Sequence, residues 1–345
     1  MSSMLDSKST INAIYQFNEK YVPYAGVSMT SLLVNNTDVE MVNIYVLGED
    51  LSEESVIKLR SLAGSFGRSI SFPDTSSLLA KFKGWGMIPY RGAYSIYLRL
   101  FFSEIIALKG ERAIYLDSDT IVDGSLLPLV NYDLGDKSMG MVLESIRDDY
   151  KIMIGMAEDS DYYNSGMILF DVDKWRSRDY CNRLKEHILN VRSGYIGDQD
   201  FLNIVCEGDV ALLPPRYNFQ PLHGRYTDKQ YYGVYKRKGY YDETLLDLAR
   251  TDTAIYHCYR WLGEFPWNDG NLHPFNTVFD KYMEMSEWSG YSKQKASLSL
   301  ALKIEKALYR ILPRPIFLRI FRTMHELVLK KAEDDARKNR ANERS

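Results

Sequence analysis

The sequence predicts an α/β fold, a βαβ-type sheet covered by helices and followed by amphipathic helices at the C-terminus. Three observations carry that expectation. Short apolar runs rich in β-branched and aromatic residues alternate with longer segments of helical period. The chain has 345 residues, 45% hydrophobic and 26% charged, enough for one large α/β domain or two modest ones around a sizeable core. Finally, a strand-like run from Ala113 to Leu116 ends in two carboxylates one residue apart, Asp117 and Asp119.

Taken in order, Ile11 to Phe17, Met41 to Leu47, Arg112 to Leu116, Met139 to Leu143 and Gly166 to Val172 read as strands. Between them, Tyr24 to Asn35, Ser52 to Ala63 and Ala93 to Leu108 read as helices. Asp173 suits an N-cap, and the helix it opens is expected to run through Trp175, Leu184, Ile188 and Val191 and to stop at Gly194. After Gly208 the pattern loosens into short strands and aromatic loops, with Tyr217 to Phe219 and Tyr231 to Tyr241 rich in tyrosine and glycine. Pro313 and Pro315 divide the segment from Ser297 to Lys330 into two helices. Ala332 to Ser345 is charged, lacks apolar periodicity and is expected to be disordered. The domain division that follows is 1–290 for the α/β domain and 291–345 for a basic helical tail.

The acidic pair is the most informative feature. Carboxylate oxygens suit a hard divalent ion, Mg2+ or Mn2+, and an ion with open positions can also take the oxygens of a diphosphate. Asp117-Ser118-Asp119 read alone is equally a strand-ending turn, because all three side chains can bond nearby backbone amides. The balance shifts with Thr120-Ile121-Val122, which resumes a β-branched apolar run and plants the pair between two strand-like pieces at a sheet edge.

Composition narrows the function classes further. A net charge of -3 argues against nucleic acid as a general partner. Met1 to Thr10 is polar and no apolar run approaches bilayer length, so a cytoplasmic location is expected. Cys181, Cys206 and Cys258 are odd in number and widely spaced, which indicates neither a disulfide framework nor a zinc knuckle. The tail is the exception to the even charge balance. Lys303, Lys306, Arg310, Arg314, Arg319, Arg322 and Lys330 face only Glu305 and Glu326 there, interleaved with leucine, isoleucine and phenylalanine. Such an amphipathic pattern suits the anionic inner face of a membrane, while a helix packed on the domain is the plainer alternative.

Several longer motifs, read together, give a resemblance. Asn164 and Gly166, followed by Met167 to Phe170 and Trp175-Arg176, form one spaced block. Gly197-Asp198-Gln199-Asp200 with Leu202-Asn203 forms a second, and Tyr97-Leu98-Arg99-Leu100 a third. With the acidic pair and His257, these motifs resemble the family 8 retaining glycosyltransferases from about Ile11 to Trp267. The similarity leans toward the bacterial galactosyl- and glucosyltransferases of lipooligosaccharide and lipopolysaccharide cores.

The resemblance implies a GT-A fold, a single Rossmann-like nucleotide-binding domain with a mixed central sheet. It implies Mn2+ (or Mg2+) held by Asp117, Asp119 and His257 on the diphosphate of UDP-galactose or UDP-glucose. Asn164, Asp198 and Gln199 would form the reacting face, with Asp198 on donor-sugar hydroxyls and Gln199 beside the anomeric carbon. Arg99 and Glu144 would contact the donor, and Tyr21 and Ser118 would complete its site. The acceptor would be a hydroxyl of a cell-surface glycan or glycolipid. An amide in Gln199's position is a poor nucleophile, which favours same-face substitution over a covalent intermediate.

Two departures stand out. Gln16 to Tyr21 keeps the family's tyrosine but changes the acidic residues near uracil, and Phe265 stands where the family places a phosphate-binding lysine. Arg260, from the same loop, is the candidate substitute. Two other classes remain open at this stage, a degenerate sugar-nucleotide binder or scaffold and a metal-dependent nucleotidyltransferase. The missing lysine favours the first; the lack of a glycine- and lysine-rich phosphate loop near the N-terminus disfavours the second.

Overall fold

The computed structural model describes residues 10–87, 89, 93–146, 148–190, 197–227, 229–230 and 240–324. The expected helix stop at Gly194, most of the tyrosine-rich stretch after Tyr231 and the charged C-terminal end lie outside them. The five expected strands are present as β1 (Thr10–Asn18), β2 (Met41–Glu49), β4 (Arg112–Asp117), β6 (Met139–Leu143) and β7 (Tyr163–Asp171). Four three-residue strands join them: β3 (Ser69–Ser71), β5 (Thr120–Val122), β8 (Val210–Leu212) and β9 (Ile255–His257). Elements this short carry too few residues for an alternation pattern to show.

A seven-stranded sheet runs in the order β3-β2-β1-β4-β7-β6-β8. Pairing is parallel from β3 through β4, then β7 lies antiparallel to both β4 and β6, which makes the sheet mixed. The central strands are buried on both faces and therefore read as continuous apolar runs rather than alternating ones; Ile11, Ala13, Ile14 and Tyr15 of β1 are fully buried. Helix Val22–Val34 packs on the sheet and comes so close to Trp288 that a Cβ on Gly26 would meet the indole at 2.0 Å. Helix Glu53–Ser65 starts where Ser52 accepts from the Ser55 amide at 3.1 Å.

Two helical expectations are corrected. Ala93 to Leu108 is not an α-helix: Ser95–Glu104 is a 3-10 segment with a break at Phe101. Tyr97 to Phe102 are six consecutive buried residues, and an α-helix with one face to solvent cannot bury six in a row. The helix expected from Asp173 is two helices, Val172–Ser177 and Tyr180–Asn190, and its cap is Asp171, which accepts from the Lys174 amide at 3.1 Å. The break is Asp179, at φ 56°. It folds the chain back so that Trp175 and Tyr180 stack at 4.7 Å in the same core. Asp173 instead accepts from the Gly110 amide.

At the C-terminus, Leu300–Ile311 forms a helix capped by Ser299, and a second helical stretch covers 314–324 beyond Pro313. Tyr309, Phe317 and Leu318 are buried against the domain. Lys306 reaches the buried Glu264 at 2.7 Å and the Gly270 carbonyl at 2.8 Å. Leu300, Ile304, Ile311, Ile316, Ile320 and Met324 remain exposed. Among the described residues no helix is long and apolar enough to cross a membrane.

Candidate active site

The site forms where the main sheet and the small β5–β9 ribbon meet. The buried run Ala113 to Leu116 fixes where β4 ends, and Asp117 emerges there half-buried. A turn through Ser118 and Asp119 follows, closed by Thr120 Oγ1, which donates to the Asp117 carbonyl at 2.8 Å. β5 then leaves the main sheet and pairs antiparallel with β9, setting Thr120 opposite His257. The amide of Cys258 also donates to the Asp119 carbonyl at 2.7 Å. Backbone pairing thus joins two stretches 133 to 137 residues apart in sequence into one corner.

In that corner a side-chain oxygen of each aspartate and a ring nitrogen of His257 all lie within 4.8 Å of one another. His257 Nε2 is 3.3 Å from Asp119 Oδ1 and 3.7 Å from Asp117 Oδ2. Its other nitrogen, Nδ1, is 3.0 Å from Asn218 Oδ1. Burial opposes a charge on His257, but Asp119 and then Asp117 outweigh it and raise the pKa. The two carboxylates therefore draw positive charge into the corner. Gly166 makes room for the ring: a Cβ there would lie 2.0 Å from His257 Cε1. Two hard oxygen donors, one imidazole and a cradle open only to glycine fit a divalent cation.

Arg99 links this corner to the next. The 3-10 segment threads it between β4 and helix Gly197–Val205, where it is buried. Its Nη1 is 3.0 Å from Asp117 Oδ1 and donates to the Ser165 carbonyl at 2.9 Å; its Nε is 2.7 Å from Asp198 Oδ2. Its plane sits 4.4 Å from the centre of the Tyr115 ring, and the Tyr115 hydroxyl donates to Asp117 Oδ1 at 2.6 Å. Burial pushes the Asp198 carboxyl up to about 6, against the pull of Arg99 and with a further push from Asp117.

Gln199 follows Asp198 on the same helix. Its Oε1 accepts from the Ser165 amide at 3.0 Å, and its Nε2 is 3.4 Å from Glu144 Oε2 and 3.3 Å from the Tyr162 hydroxyl. Asn164 is buried; its amide donates to Glu144 while its oxygen accepts from Gly166 N at 2.9 Å and Asn218 Nδ2 at 2.8 Å. Asp117, Asp119, His257, Arg99, Asp198, Gln199, Asn164 and Glu144 are thus in one contact network, with Ser118 on the turn between the aspartates.

Tyr21 and Arg260 are reached through different contacts. Tyr21 lies edge-on to Tyr24 at 5.9 Å, Tyr24 stacks on Trp267 at 3.9 Å, and Trp267 stacks on Phe265 at 4.2 Å. The exposed Arg260 guanidinium lies over Phe265, 5.1 Å from the ring centre. Sequence reasoning named Asn218 only within 216–220, which resembles a family loop near the acceptor side, and Tyr115 and Gly166 only as members of motifs. Their contacts with His257 and Arg99 depend on partners distant in sequence.

The comparisons agree with the fold and the motifs. Residues 12–281 match the sequence profile of "Glycosyl transferase family 8". The chain belongs to that family and is a glycosyltransferase of GT-A architecture. A Haemophilus influenzae protein described as a glycosyltransferase is 29% identical over 222 residues, which span 61% of this chain and 64% of that one. The lipopolysaccharide 1,2-glucosyltransferase of Escherichia coli (strain K12) is 22% identical over 87% of this chain and 85% of its own. Among solved structures, the galactosyltransferase LgtC in complex with donor and acceptor sugar analogs superposes with a TM-score of 0.68. It is 25% identical, and the match covers 81% of this chain and 99% of that one.

Proposed function

We propose that the protein is a retaining hexosyltransferase, moving galactose or glucose from a UDP-sugar to a hydroxyl of a cell-surface glycan or glycolipid with the help of a divalent cation, Mn2+ or Mg2+. One observation carries the reading: the Asp117, Asp119 and His257 corner and the Asp198–Gln199 helix end share the buried Arg99. A diphosphate on the first would leave its sugar at the second. A divalent cation held there would neutralise charge on the departing UDP.

Around it, Arg99 orients Asp117 and Asp198 together, and Asp198 is placed to accept from donor-sugar hydroxyls. Gln199 has its oxygen engaged by Ser165, and the carboxylates flanking it, Asp198 and Glu144, are tied to Arg99 and to Asn164. These engagements support same-face substitution over attack by a protein nucleophile. In that reaction the anomeric carbon–oxygen bond to UDP breaks as the acceptor oxygen bonds to the same face, and the acceptor's proton passes to the leaving phosphate oxygen.

Arg260 over Phe265 is the proposed replacement for the family's lysine, and Tyr21 belongs to the nucleotide's edge of the site. The division into a catalytic domain, 1–290, and a basic tail, 291–345, is part of the same proposal. The exposed isoleucines and leucine of the tail, beside Lys303, Arg319 and Arg322, support peripheral attachment to an anionic inner membrane face, with the enzyme cytoplasmic. UDP release from a panel of UDP-sugars, with and without Mn2+ and without acceptor, tests the proposal. Release confined to UDP-hexoses and dependent on the cation is expected; no release from any donor would sink it.

A further inference from the structure

We propose that Asn218 is a positioning residue which, with Asn164 and Glu144, holds His257 in the tautomer whose Nε2 lone pair faces Asp117 and Asp119. The inference rests on the reading of that corner as a divalent-cation site and adds the device that keeps the imidazole fit to ligate.

The argument starts at the far end of a hydrogen-bond chain. An ionised carboxylate can only accept, so the side chain of Asn164 must turn its NH2 toward Glu144 Oε2. Its oxygen then points the other way, where it accepts from the Gly166 amide at 2.9 Å and from Asn218 Nδ2 at 2.8 Å. Asn218 has thereby presented its NH2 to Asn164 and must present its oxygen to His257, 3.0 Å from Nδ1. An oxygen facing Nδ1 requires a proton on Nδ1. In the neutral ring the lone pair is then on Nε2, the nitrogen nearest both aspartates.

The opposite tautomer could donate from Nε2 to Asp119 Oδ1, 3.3 Å away, but fails at every joint of the relay behind the ring. A proton on Nε2 would make Nδ1 an acceptor and turn the Asn218 amide around, setting its oxygen against that of Asn164. Flipping Asn164 as well would set its oxygen against Glu144 and its NH2 against the Gly166 N–H. Asn164, Asn218 and His257 are all buried, so water offers no easy substitute for a lost partner. The same Glu144 oxygen lies 3.4 Å from Gln199 Nε2, so one carboxylate orients both the ligating histidine and the amide at the proposed reacting face.

The test uses the full-length chain labelled with 15N-histidine, metal-free and at alkaline pH so that the rings are neutral. Two-bond nitrogen–proton spectra report each tautomer. The chain has five histidines, and His257→Ala identifies the resonance. His257 is expected to carry its proton on Nδ1. Asn218→Leu should populate the Nε2–H form and weaken Mn2+ binding, followed by electron paramagnetic resonance of the free ion, by about 10–100-fold. Should Asn218→Leu not fold, Glu144→Gln, which can offer an NH2 to Asn164, should give a mixture of tautomers. A wild-type ring protonated on Nε2 would overturn the proposal. So would a folded Asn218→Leu protein with both the tautomer and the Mn2+ affinity unchanged. If His257→Ala itself bound Mn2+ as tightly as wild type, the cation-site reading would fall first; loss in His257→Ala without loss in Asn218→Leu would remove the relay alone.

Discussion

Replacing Gly166 by alanine is expected to push His257 out of the corner it shares with Asp117 and Asp119. The backbone does not forbid the change, because Gly166 is not among the residues of positive φ. The obstacle is the ring. The new methyl would lie 2.0 Å from Cε1, 2.4 Å from Nδ1 and 2.7 Å from Nε2, whereas carbon atoms in contact prefer about 3.5–4 Å. Something must therefore move by roughly 1.5 Å, and a cation site tolerates deviations of only about 0.2 Å in its ligand distances. His257 cannot shift that far and keep both Asn218 and the aspartates. Overpacking a buried contact costs about 1–3 kcal/mol, so the variant should remain folded with its thermal midpoint lowered by a few degrees. Mn2+ titration and a circular-dichroism melt of the same sample read the two effects separately. A Gly166→Ala protein that bound Mn2+ with wild-type affinity would refute the placement of His257 in the site.

The remaining predictions concern the ligands, the reacting face, acid stability and the tail. Asp119→Ala should abolish Mn2+-dependent UDP binding and turnover while leaving the far-ultraviolet spectrum unchanged; near-normal turnover at limiting Mn2+ would contradict its role. Gln199→Ala should lower turnover far more than UDP affinity, and a glycosyl adduct on any carboxylate, seen by intact-protein mass spectrometry, would rule out same-face substitution. His223 is held down to about 3 by burial and then by Arg250, and His273 to about 4 by burial. Below an unfolded value of about 6.5 the unfolded chain takes up two protons that the folded one refuses, so stability present above that pH falls as the pH drops toward 4. Each histidine contributes at most about 1.4 kcal/mol per pH unit, and urea melts of His223→Gln should show a shallower fall than wild type. Lys306→Ala should destabilise the protein by about 3 kcal/mol, because it strands the buried Glu264; an unchanged denaturation midpoint would show that this pair does not hold the tail to the domain.

What the sequence made legible follows from which constraints act along the chain. β1, β4, β6 and β7 could be read because strands buried on both faces need uninterrupted apolar residues, and β2 because its buried Val42, Ile44 and Val46 alternate with partly exposed residues. Asp117 and Asp119 stood out as two carboxylates one residue apart at the end of a strand-like run, whereas Asp198 and Gln199 were picked out through the resemblance of their motif. The 3-10 path of Ser95–Glu104 and the left-handed break at Asp179 could not, since both answer to packing partners distant in sequence. The loop holding Asn218 was noticed for its resemblance to a family loop near the acceptor side, but the contact of Asn218 with His257 was not foreseen, for the same reason. An asparagine before Phe219 on a loop acquires meaning only when Asn164 and His257, 54 and 39 residues away, come to its two ends.

On the proposed function, the charge distribution accounts for Arg99 and a divalent cation sharing one site. Asp117, Asp119 and Asp198 bring three carboxylates together, and among the described residues in contact with them Arg99 is the one permanent cation. Its guanidinium spans Asp117 and Asp198, leaving Asp119 and the far oxygen of Asp117 to face His257. With Glu144 also in the network through Gln199 and Asn164, carboxylates outnumber the guanidinium, which favours a further cation in the corner. Burial raises the pKa of Asp198, with a further push from Asp117, while Asp119 and then Asp117 raise that of His257 against burial. In the proposed reading a divalent ion would offset the carboxylates without protonating Asp198, which would stay able to accept from the donor sugar. On that proposal metal binding and the reacting face would be coupled through a single guanidinium, which ties Asp117 on one side to Asp198 on the other.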